Sequence, residues 1–568
     1  MAGLDLEASV ITRRQIVTPT MPLVIGGFSL LTILFFWPLL GHLSSTLIGP
    51  AEDNMNDFWN SWHAATVHDW RELMFTNRIH YPEGTTLVYQ SFAWPQVAAV
   101  VLLGSVFGTS LSNLILFQNL TLLASFPLSA IAMFLLARHL LDEGRGRNAG
   151  AVLAGFIFAF NPWHVAQVMH HAHVATIEFL PLFALFYLRS VEERSYLYLA
   201  GAIGMMALSA LSCWYYLFYA LYFTAFEFAY RWNREQKRHP DQKWPERWML
   251  AAPVLCLGGT LLLLSPWLIP MIIARGPAYP GTNAFVADVL ALLAFPPTHL
   301  LAKFGEGIYA RLTGNPWEAT VYLGLANLAV LAWALARKTE ADKRLLNYAL
   351  GGMLLFFVLA AGETLHIGGH GTVVVLPDFI LAQLPFFANV RTPARAMVMV
   401  YMFLGLGLAQ ACMMAFRHSA TTKRAGALLV ATVILLDFTP TNLVATPMRC
   451  SPALGVIADD PDSFGVLDLP RGYVANNIAM AMSACHGHPI VFGETSRKLG
   501  VTLADRLETN DLALQQRQLA TARVKYIVLR RSQGDSFVWN ETDGRFDDYL
   551  RTYKQVSADG EAIVLRVY

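Results

Sequence analysis

Charged residues are scarce in this chain. Only 14% of its 568 residues are Asp, Glu, Lys or Arg, whereas a soluble protein normally carries about 25%. With 55% hydrophobic residues, the composition is that of a membrane protein. The formal net charge is +1 and no basic motif is present, so nucleic-acid binding is excluded as a function class.

Nucleotide-binding and nucleophile motifs are missing as well. The sequence contains neither a P-loop nor a glycine-rich dinucleotide turn after a strand, and no Ser or Cys stands in a nucleophile motif. An outward-facing enzyme without a nucleotide site needs another activated donor. A lipid-phosphate-linked substrate, reached sideways from the bilayer, fits that requirement.

Cysteine is also rare, with five residues in the chain. Cys213, Cys256 and Cys412 fall in predicted membrane spans, where cysteine serves as a small packing residue. Cys450 and Cys485 fall in the predicted outer region, where an oxidising compartment permits a disulfide. The sequence leaves their pairing open, because two cysteines bond only when their Cα atoms lie within about 7 Å.

Long apolar runs are abundant. About eleven of them are predicted membrane spans, since roughly 20 apolar residues cross ~30 Å of hydrocarbon. The first, Met21 to Leu40, has no small-residue cleavage site before it, so we predict an uncleaved first span. The segment 92–109, which contains Pro95, is predicted to lie at the outer membrane surface. The other ten spans are predicted at 112–138, 148–163, 175–190, 196–212, 214–231, 249–274, 317–337, 345–361, 395–416 and 424–440.

The loops between these runs alternate in charge. Loops rich in Lys and Arg fall on one side of the predicted membrane, and such loops stay in the cytoplasm. The pattern predicts a multi-pass protein of a bacterial inner membrane with a cytoplasmic N-terminus. The basic loops are 138–147, 189–194, 231–247, 337–344 and 417–424. The predicted outer loops are 42–111, 164–174, 275–316 and 362–394.

The chain is predicted to divide into two parts. Residues 1–440 form a transmembrane domain, and residues 441–568 form a small domain on the periplasmic or extracellular side. The second part is less hydrophobic and contains strand-like runs at 465–469, 524–530 and 562–567. The predicted fold class is therefore a polytopic α-helical membrane protein with a C-terminal extracytoplasmic α/β domain.

The first outer loop carries two candidate catalytic aspartates. Asp53 and Asp57 are four residues apart, so they share one face if the segment is helical. A carboxylate here can take the proton of an acceptor hydroxyl or amine, which is the role of a general base. The alternative is structural: Asp53 caps an interfacial helix, and Trp59, Trp62 and Trp70 anchor that helix to the membrane.

The second outer loop is rich in histidine. His170, His171 and His173 precede Glu178, which lies near the start of the next span. On a continuous helix, His170 and His173 share one face, as do His171 and Glu178. Protonated imidazoles hold phosphate and neutral ones bind metals, so His170 and His173 are the alternative metal ligands. The third possibility is that the histidines are hydrogen-bonded parts of the structure.

The third and fourth outer loops carry ionisable groups near predicted span ends. Glu318 stands at the start of a span, where a carboxylate is costly unless it is paired or solvated. His299 lies earlier in the same loop. Arg391 and Arg395 stand at an outer span end, so they are candidates to hold an anion such as a lipid phosphate. Their alternative role is to reach lipid headgroups.

Together these features resemble the GT-C superfamily of membrane glycosyltransferases. The shared features are a first span, a long outer loop that opens with an acidic motif, an interfacial helix, a polar second outer loop and a C-terminal outer domain. More closely, the chain is similar to bacterial GT-C-like proteins related to the YfhO type. The matching stretches are Asp57–Trp62, Tyr81–Gly84, Phe158–Pro162, His171–His173 with Pro181, Pro316–Glu318 with Tyr322–Gly324, Arg391–Arg395, Val466–Pro470, and His486–Pro489 with Gly493 and Arg497.

The resemblance implies an inverting transfer of one sugar from a polyprenyl-phosphate-linked donor. The acceptor would be a glycan, lipid or protein at the outer face of the membrane. Asp57 or Asp53 would take the place of the family's first-loop catalytic carboxylate, and we favour Asp57. Many relatives have an acidic residue in the second outer loop, where this chain has histidines. That departure favours transfer without a metal, although the sequence leaves a divalent cation open as a cofactor.

We therefore expect Asp57 to activate the acceptor while basic groups hold the donor phosphate and Glu318 orients a sugar hydroxyl or a basic partner. Two other functions stay open: a transporter of lipid-linked glycans, and a non-enzymatic subunit of a cell-envelope polysaccharide assembly. A transporter needs polar groups along a path through the spans, and few are present, Glu227 being one. The candidate donor-phosphate or substrate-binding residues are His170, His171, His173, Glu178, His299, Glu318, Arg391 and Arg395.

Overall fold

The structure is a computed structural model that describes residues 21–242, 244–276, 284–384, 390–417, 421–531 and 546–568, with only the backbone of 421–428. Residues 1–20, which bear on the predicted cytoplasmic N-terminus, lie outside this part.

The described α-helices are α1 Met21–Phe35, α2 Asp53–Thr66, α3 Trp94–Phe107, α4 Leu111–Leu140, α5 Arg147–Ala159, α6 Pro162–His170, α7 Ala172–Ala175, α8 Phe179–Glu193, α9 Tyr196–Ser212, α10 Trp214–Arg238, α11 Arg247–Ala274, α12 Glu306–Tyr309, α13 Leu325–Arg337, α14 Glu340–Ala360, α15 Asp378–Leu381, α16 Met397–Arg417, α17 Thr421–Phe438, α18 Gly455–Ala458, α19 Tyr473–Met482, α20 Leu503–Arg506, α21 Leu512–Thr521 and α22 Phe546–Thr552.

Every predicted span overlaps one of these helices. Within the described residues, six helical stretches are long and apolar enough to cross a membrane: Leu111–Leu140, Arg147–His170, Ala172–Glu193, Arg247–Ala274, Glu340–Ala360 and Pro393–Arg417. Shorter apolar helices include Met21–Phe35, Tyr196–Ser212 and Leu325–Arg337. The mainly helical fold is therefore confirmed, and the count of eleven spans stays a prediction.

The predicted span at 317–337 begins later than expected. Its helix, α13, starts at Leu325, because Gly324 has a φ of +88°, outside the helical range. Residues 321–324 before it form no helix or strand. Glu318 therefore lies in a loop rather than in a membrane helix.

The predicted helix through the second outer loop is broken twice. The first break follows α5, where the Asn161 side chain accepts a hydrogen bond from the His164 backbone and begins α6. The second break is at His171, whose φ of −141° is extended rather than helical. The prediction that His170 and His173 share a helical face is therefore wrong, because no continuous helix joins them.

The predicted surface segment at 92–109 contains α3. This helix carries Pro95 in its first turn, a position where proline is tolerated because no backbone N–H is needed. Leu102, Val106 and Phe107 are exposed on it. A helix with exposed apolar side chains is what a lipid-facing surface segment requires.

The strands are short except in the C-terminal region. They are β1 Thr46–Ile48, β2 Phe75–Thr76, β3 Thr85–Thr86, β4 Thr364–Ile367, β5 His370–Val375, β6 Ala445–Pro447, β7 Gly465–Leu469, β8 Val524–Arg530, β9 Lys554–Ala558 and β10 Ala562–Arg566. Strands β7 to β10 form one sheet in the order β7-β8-β10-β9, in which β7 and β8 are parallel and the other pairs antiparallel. Strands therefore occur at all three predicted runs, while the domain boundary at residue 441 stays a prediction.

The first outer loop packs tightly against the C-terminal region. Strand β1 pairs with β6, and the backbone of Ile490 exchanges hydrogen bonds with Arg78 and Tyr81. One buried apolar cluster contains Phe58 and Trp59 from α2 together with Met480 from α19. Trp59 is fully buried there, so it is a core residue and not a membrane anchor.

Cys450 and Cys485 form a disulfide in this C-terminal region. The other three cysteines are free, and Cys213 and Cys256 are buried among helices. The disulfide links the segment before α18 to the end of α19. It therefore holds α19, which contacts the first outer loop, to the rest of the C-terminal region.

Candidate active site

Helix α2 presents both candidate aspartates, and its start is fixed against the second outer loop. The Asn54 amide donates hydrogen bonds of 2.5 Å to the carbonyl oxygens of Ile48 and Met169. Gly49 lies just before the helix with a φ of +100°, and a Cβ there would come within 1.8 Å of the Met169 oxygen. A side chain at position 49 is therefore excluded by both conformation and space.

Asp57 contacts the second outer loop directly. Its Oδ2 accepts a hydrogen bond from the His173 backbone N–H at 3.3 Å and lies 3.4 Å from His173 Nδ1. The side chain is only 8% exposed. This carboxylate is therefore held in one orientation next to an imidazole, an arrangement in which a proton can be taken up and shared.

Asp53 lies one turn earlier and belongs to a second group of contacts. Its Oδ2 is 3.5 Å from His171 Nε2, and the Tyr473 hydroxyl donates a hydrogen bond to its other oxygen. His171 Nε2 is also 3.6 Å from Glu318 Oε1. His171 therefore lies between carboxylates from the first and third outer loops. Asp53 is the first helical residue and its side chain makes no cap, so the predicted capping role is not observed.

Glu318 is paired with Arg395. Its Oε1 accepts hydrogen bonds from Arg395 Nε at 2.9 Å and Nη2 at 2.5 Å, and both side chains are buried. The guanidinium also lies 5.2 Å from the centre of the Tyr215 ring. A buried carboxylate and a buried guanidinium each require such a partner, so the pair compensates both charges.

His170 faces a third carboxylate. Its Nδ1 lies 3.3 Å from Glu52 Oε2, and its ring stacks on Trp317 with centroids 3.7 Å apart. Because Trp317 adjoins Glu318, the third outer loop contacts two of the second-loop histidines. The structure thus brings together Asp53, Asp57, the three histidines, Glu318 and Arg395, which we call the carboxylate–histidine cluster.

The remaining predicted residues lie elsewhere. His299 Nε2 lies 3.2 Å from Asp437 Oδ1, which also accepts a hydrogen bond from Tyr322. Glu178 is buried at the start of α8, and its Oε2 has no hydrogen-bond partner among the described residues. Arg391 is exposed, and its backbone N–H donates to the Tyr215 hydroxyl. Arg391 and Arg395 therefore share Tyr215 as a neighbour.

Sequence reasoning missed several residues that contact the cluster, namely Glu52, Tyr473 and Trp317. Glu52 precedes Asp53 in the acidic motif, so its position in the sequence could have identified it as a site residue. Tyr473 is 420 residues from Asp53 in the chain, and no local pattern connects them. Trp317 lies beside Glu318, but no sequence pattern indicates that its ring stacks on His170.

Burial controls the protonation of the two groups that face each other in this cluster. It raises the pKa of Asp53, and the hydrogen bond from Tyr473 opposes that rise. Burial, with the charge of Arg395, lowers the pKa of His171 well below its ordinary value. His171 is therefore neutral at physiological pH.

The described residues contain no group of three or more His, Cys, Asp or Glu side chains that could hold a metal ion. His170 and His173, the alternative metal ligands, face different carboxylates, Glu52 and Asp57.

A family model described as a domain of unknown function, DUF6311, matches residues 24–437. The chain belongs to this family. The match covers the helical part and every member of the carboxylate–histidine cluster, while Tyr473, which contacts Asp53, lies beyond it. No curated protein sequence matches this DUF6311 chain.

Solved structures show which fold the chain has. A mutant form of the arabinofuranosyltransferase AftD from mycobacteria is similar with a TM-score of 0.60 and 12% identity, covering 96% of this chain. The chain spans 41% of the length of that AftD chain. The oligosaccharyltransferase of Archaeoglobus fulgidus in its apo form is similar with a TM-score of 0.51 and 13% identity, covering 90% of this chain and 70% of that one. Both are glycosyltransferases, and the predicted GT-C resemblance is confirmed for the fold.

Proposed function

We propose that this protein transfers a sugar from a polyprenyl-phosphate-linked donor to an acceptor at the outer face of a bacterial inner membrane. The observation that carries the proposal is the position of Asp57. In a chain with the GT-C fold, it is a buried first-loop carboxylate beside a second-loop histidine. The proposed acceptors are a glycan, a lipid or a protein.

Asp57 is the general base in this proposal. The acceptor hydroxyl gives its proton to Asp57 as its oxygen attacks the anomeric carbon of the donor sugar. The bond from that carbon to the phosphate oxygen breaks, and the polyprenyl phosphate leaves with both electrons. Attack on the face opposite the leaving group inverts the anomeric carbon. The neighbouring His173 fixes the carboxylate for this proton transfer.

Basic groups at the outer end of α16 receive the negative charge that develops on the leaving phosphate. Arg391 is exposed and Arg395 is buried against Glu318, so Arg391 makes the direct contact in this proposal. Glu318 orients Arg395, its basic partner. Fixed positive charge near a developing negative charge stabilises the transition state more than the ground state.

The test compares Asp57→Asn with Asp69→Asn, a matched change in the same loop. Asp69 is exposed and caps a short turn, which Asn also caps well. Purified protein is incubated with polyprenyl-phosphate-linked sugars and a membrane lipid extract as the acceptor source, and donor consumption is followed by mass spectrometry. We expect Asp57→Asn to lower turnover at least about 100-fold, as loss of a general base does, and Asp69→Asn to leave it unchanged.

Normal turnover in Asp57→Asn would refute the assignment of the base. A donor that stays chemically intact with the native protein would refute the transferase and favour a transporter of lipid-linked glycans or an assembly subunit. Glu227, the ionisable group noted within a predicted span, forms an ion pair with Arg231 in the same helix, α10. It is therefore already paired and does not by itself indicate a transport path.

A further inference from the structure

A polar cavity lies between the first outer loop and the C-terminal region, outside the carboxylate–histidine cluster. Its volume is about 300 Å³, which is at the small end for ligand pockets. His80 lines it from the turn after β2, and Asn476 lines it from α19. Phe492 and Thr495 line it from the segment that follows α19. None of these residues belongs to the carboxylate–histidine cluster.

Several buried polar atoms around this cavity have no hydrogen-bond partner in the described part of the chain. They are both ring nitrogens of His80, Oδ1 of Asn476 and Oγ1 of Thr495. His80 is only 4% exposed. Burying a polar atom without a partner costs about 1–3 kcal/mol, so three such residues at one cavity point to a ligand that completes their hydrogen bonds.

The cavity has balanced charge. Its two basic residues, Arg471 and Lys498, are matched by Glu494 and Asp505. Lys498 is paired with Asp505, and the Glu494 carboxylate accepts a hydrogen bond of 2.7 Å from the Asn476 amide. A phosphate or carboxylate ligand would need an excess of positive charge. The lining therefore suits a neutral ligand.

The hydrogen-bonding groups suit hydroxyls. Burial lowers the pKa of His80 to about 4, so its ring is neutral at physiological pH and offers one donor and one acceptor. The Thr495 hydroxyl both donates and accepts, and the Asn476 oxygen accepts. Sugar hydroxyls also both donate and accept.

One wall of the cavity, helix α19, also contacts the candidate active site. Tyr473, which donates to Asp53, lies one helical turn before Asn476 on α19. Asn56, on α2 between the two aspartates, donates a hydrogen bond of 3.0 Å to the Glu494 backbone oxygen. Helix α19 therefore lines the cavity and also contacts Asp53, while α2 is hydrogen-bonded to the segment that lines the cavity.

We propose that this cavity binds a neutral saccharide unit of the acceptor. The proposal rests on the proposed glycosyl transfer and names the acceptor class as a glycan. His80, Asn476 and Thr495 hydrogen-bond its hydroxyls. Interactions away from the reacting atoms then align the acceptor hydroxyl with the donor sugar.

Binding is tested directly by saturation-transfer NMR with the full chain in detergent. The probes are methyl α-D-mannopyranoside, methyl α-D-glucopyranoside, methyl β-D-galactopyranoside and methyl α-D-arabinofuranoside, with inorganic phosphate as the charged comparison. The first variant is Thr495→Val, which removes one hydroxyl and keeps the side-chain shape. The matched control is Thr521→Val, whose hydroxyl bonds only within α21 and is exposed. A second variant, His80→Phe, keeps an aromatic ring and removes both nitrogens.

We expect at least one glycoside to bind, with Kd raised about 3- to 10-fold by Thr495→Val, as loss of one hydrogen bond predicts. We expect a larger loss with His80→Phe and no change with Thr521→Val. Absence of glycoside binding, or equal affinity in all three variants, would overturn the proposal, as would phosphate binding that displaces the glycoside. Glycoside binding by a protein that consumes no donor would refute the proposed transfer but not the saccharide site, so the two failures are distinguishable.

Discussion

His171 lies between two carboxylates that come from different outer loops, Asp53 and Glu318. His173 and His170 each face one further carboxylate, Asp57 and Glu52. Each second-loop histidine therefore faces at least one carboxylate, and Arg395 compensates the charge of Glu318.

Asp53→Asn is expected to stabilise the protein at neutral pH. The folded state raises the pKa of Asp53, so it favours the protonated carboxyl and loses stability as the pH rises through that pKa. An amide carries no charge at any pH and still accepts the hydrogen bond from Tyr473. We expect Asp53→Asn to have a higher Tm than the native protein at pH 7.5, and the difference to shrink as the pH falls toward 4.

This is measured by thermal unfolding in detergent across that pH range. Asp69→Asn, a change at an exposed aspartate, serves as the comparison and should show no such trend. Equal Tm values at pH 7.5, or a difference that grows on acidification, would contradict the raised pKa of the Asp53 carboxyl.

Removal of one partner of the Glu318–Arg395 pair is expected to be costly. Glu318→Gln leaves the buried guanidinium without its counter-charge, which typically costs about 3–5 kcal/mol. The double variant Glu318→Gln with Arg395→Gln removes both charges, so it should be more stable than the single variant. Unfolding in denaturant gives the coupling energy of this double-mutant cycle.

The exposed pair of Glu340 and Lys343 is the control for that cycle. Glu340 is 87% exposed, and such pairs contribute about 0–1 kcal/mol. Purely additive effects at Glu318 and Arg395 would show that the buried pair does not act as a unit.

Individual functional residues could be predicted from the sequence where an ionisable side chain stands at the outer end of a predicted membrane span, because charged groups are uncommon there. Glu318 and Arg395 were singled out in this way, and the structure pairs them. The pairing itself was not predicted, because it depends on where the loop before α13 folds back. His299 was selected as a candidate because it lies in the same predicted outer loop as Glu318. Only the tertiary structure shows that it contacts Asp437 instead of the cluster.

Among the structural elements, the start of α2 and the second outer loop decide the geometry of the site. Gly49→Ala is expected to be strongly destabilising, because position 49 has a φ of +100° and a Cβ would collide with the Met169 oxygen. Strain of this kind and overpacking each cost about 1–3 kcal/mol. We therefore expect a loss of about 2–4 kcal/mol in unfolding free energy, with α2 displaced from the second loop.

The matched control is Gly26→Ala in α1, where no atom lies within 4 Å of the added Cβ. Alanine in a helix is favoured over glycine by about 0.5–1 kcal/mol, so this variant should be unchanged or slightly more stable. Native stability of Gly49→Ala would show that the contact between α2 and Met169 is dispensable.

Element types followed from the sequence more reliably than element ends. Apolar runs predicted helices at every span, and short strand-like runs predicted strands β7, β8 and β10. The break at Asn161 lies two residues before the predicted span end at 163, but the break at His171 was missed, because a single extended residue leaves no signal in the sequence pattern. Those breaks turn each histidine toward a different carboxylate, so they decide the chemistry of the site.

At the scale of the whole molecule, the first outer loop and the C-terminal region form one packed unit. Strand β1 pairs with β6, and Glu83 accepts hydrogen bonds from Leu503 and Arg506. Contacts between residues more than 400 positions apart cannot be read from local sequence patterns. They require both regions to lie on the same side of the membrane, which agrees with the predicted positions of the basic loops.

The last prediction concerns that topology. If the basic loops are cytoplasmic, the C-terminal region lies outside, where the Cys450–Cys485 disulfide persists because the compartment is oxidising. A phosphatase reporter that needs its own disulfides should be active when fused after Tyr568, and inactive when fused within 138–147 or 231–247. A reporter that is active only in the cytoplasm should give the reverse pattern and serves as the control. In intact cells, Cys450 and Cys485 should resist thiol labelling until a reductant is added. An inactive phosphatase fusion at Tyr568 together with freely labelled cysteines would place the C-terminal region in the cytoplasm, and the proposed site with it.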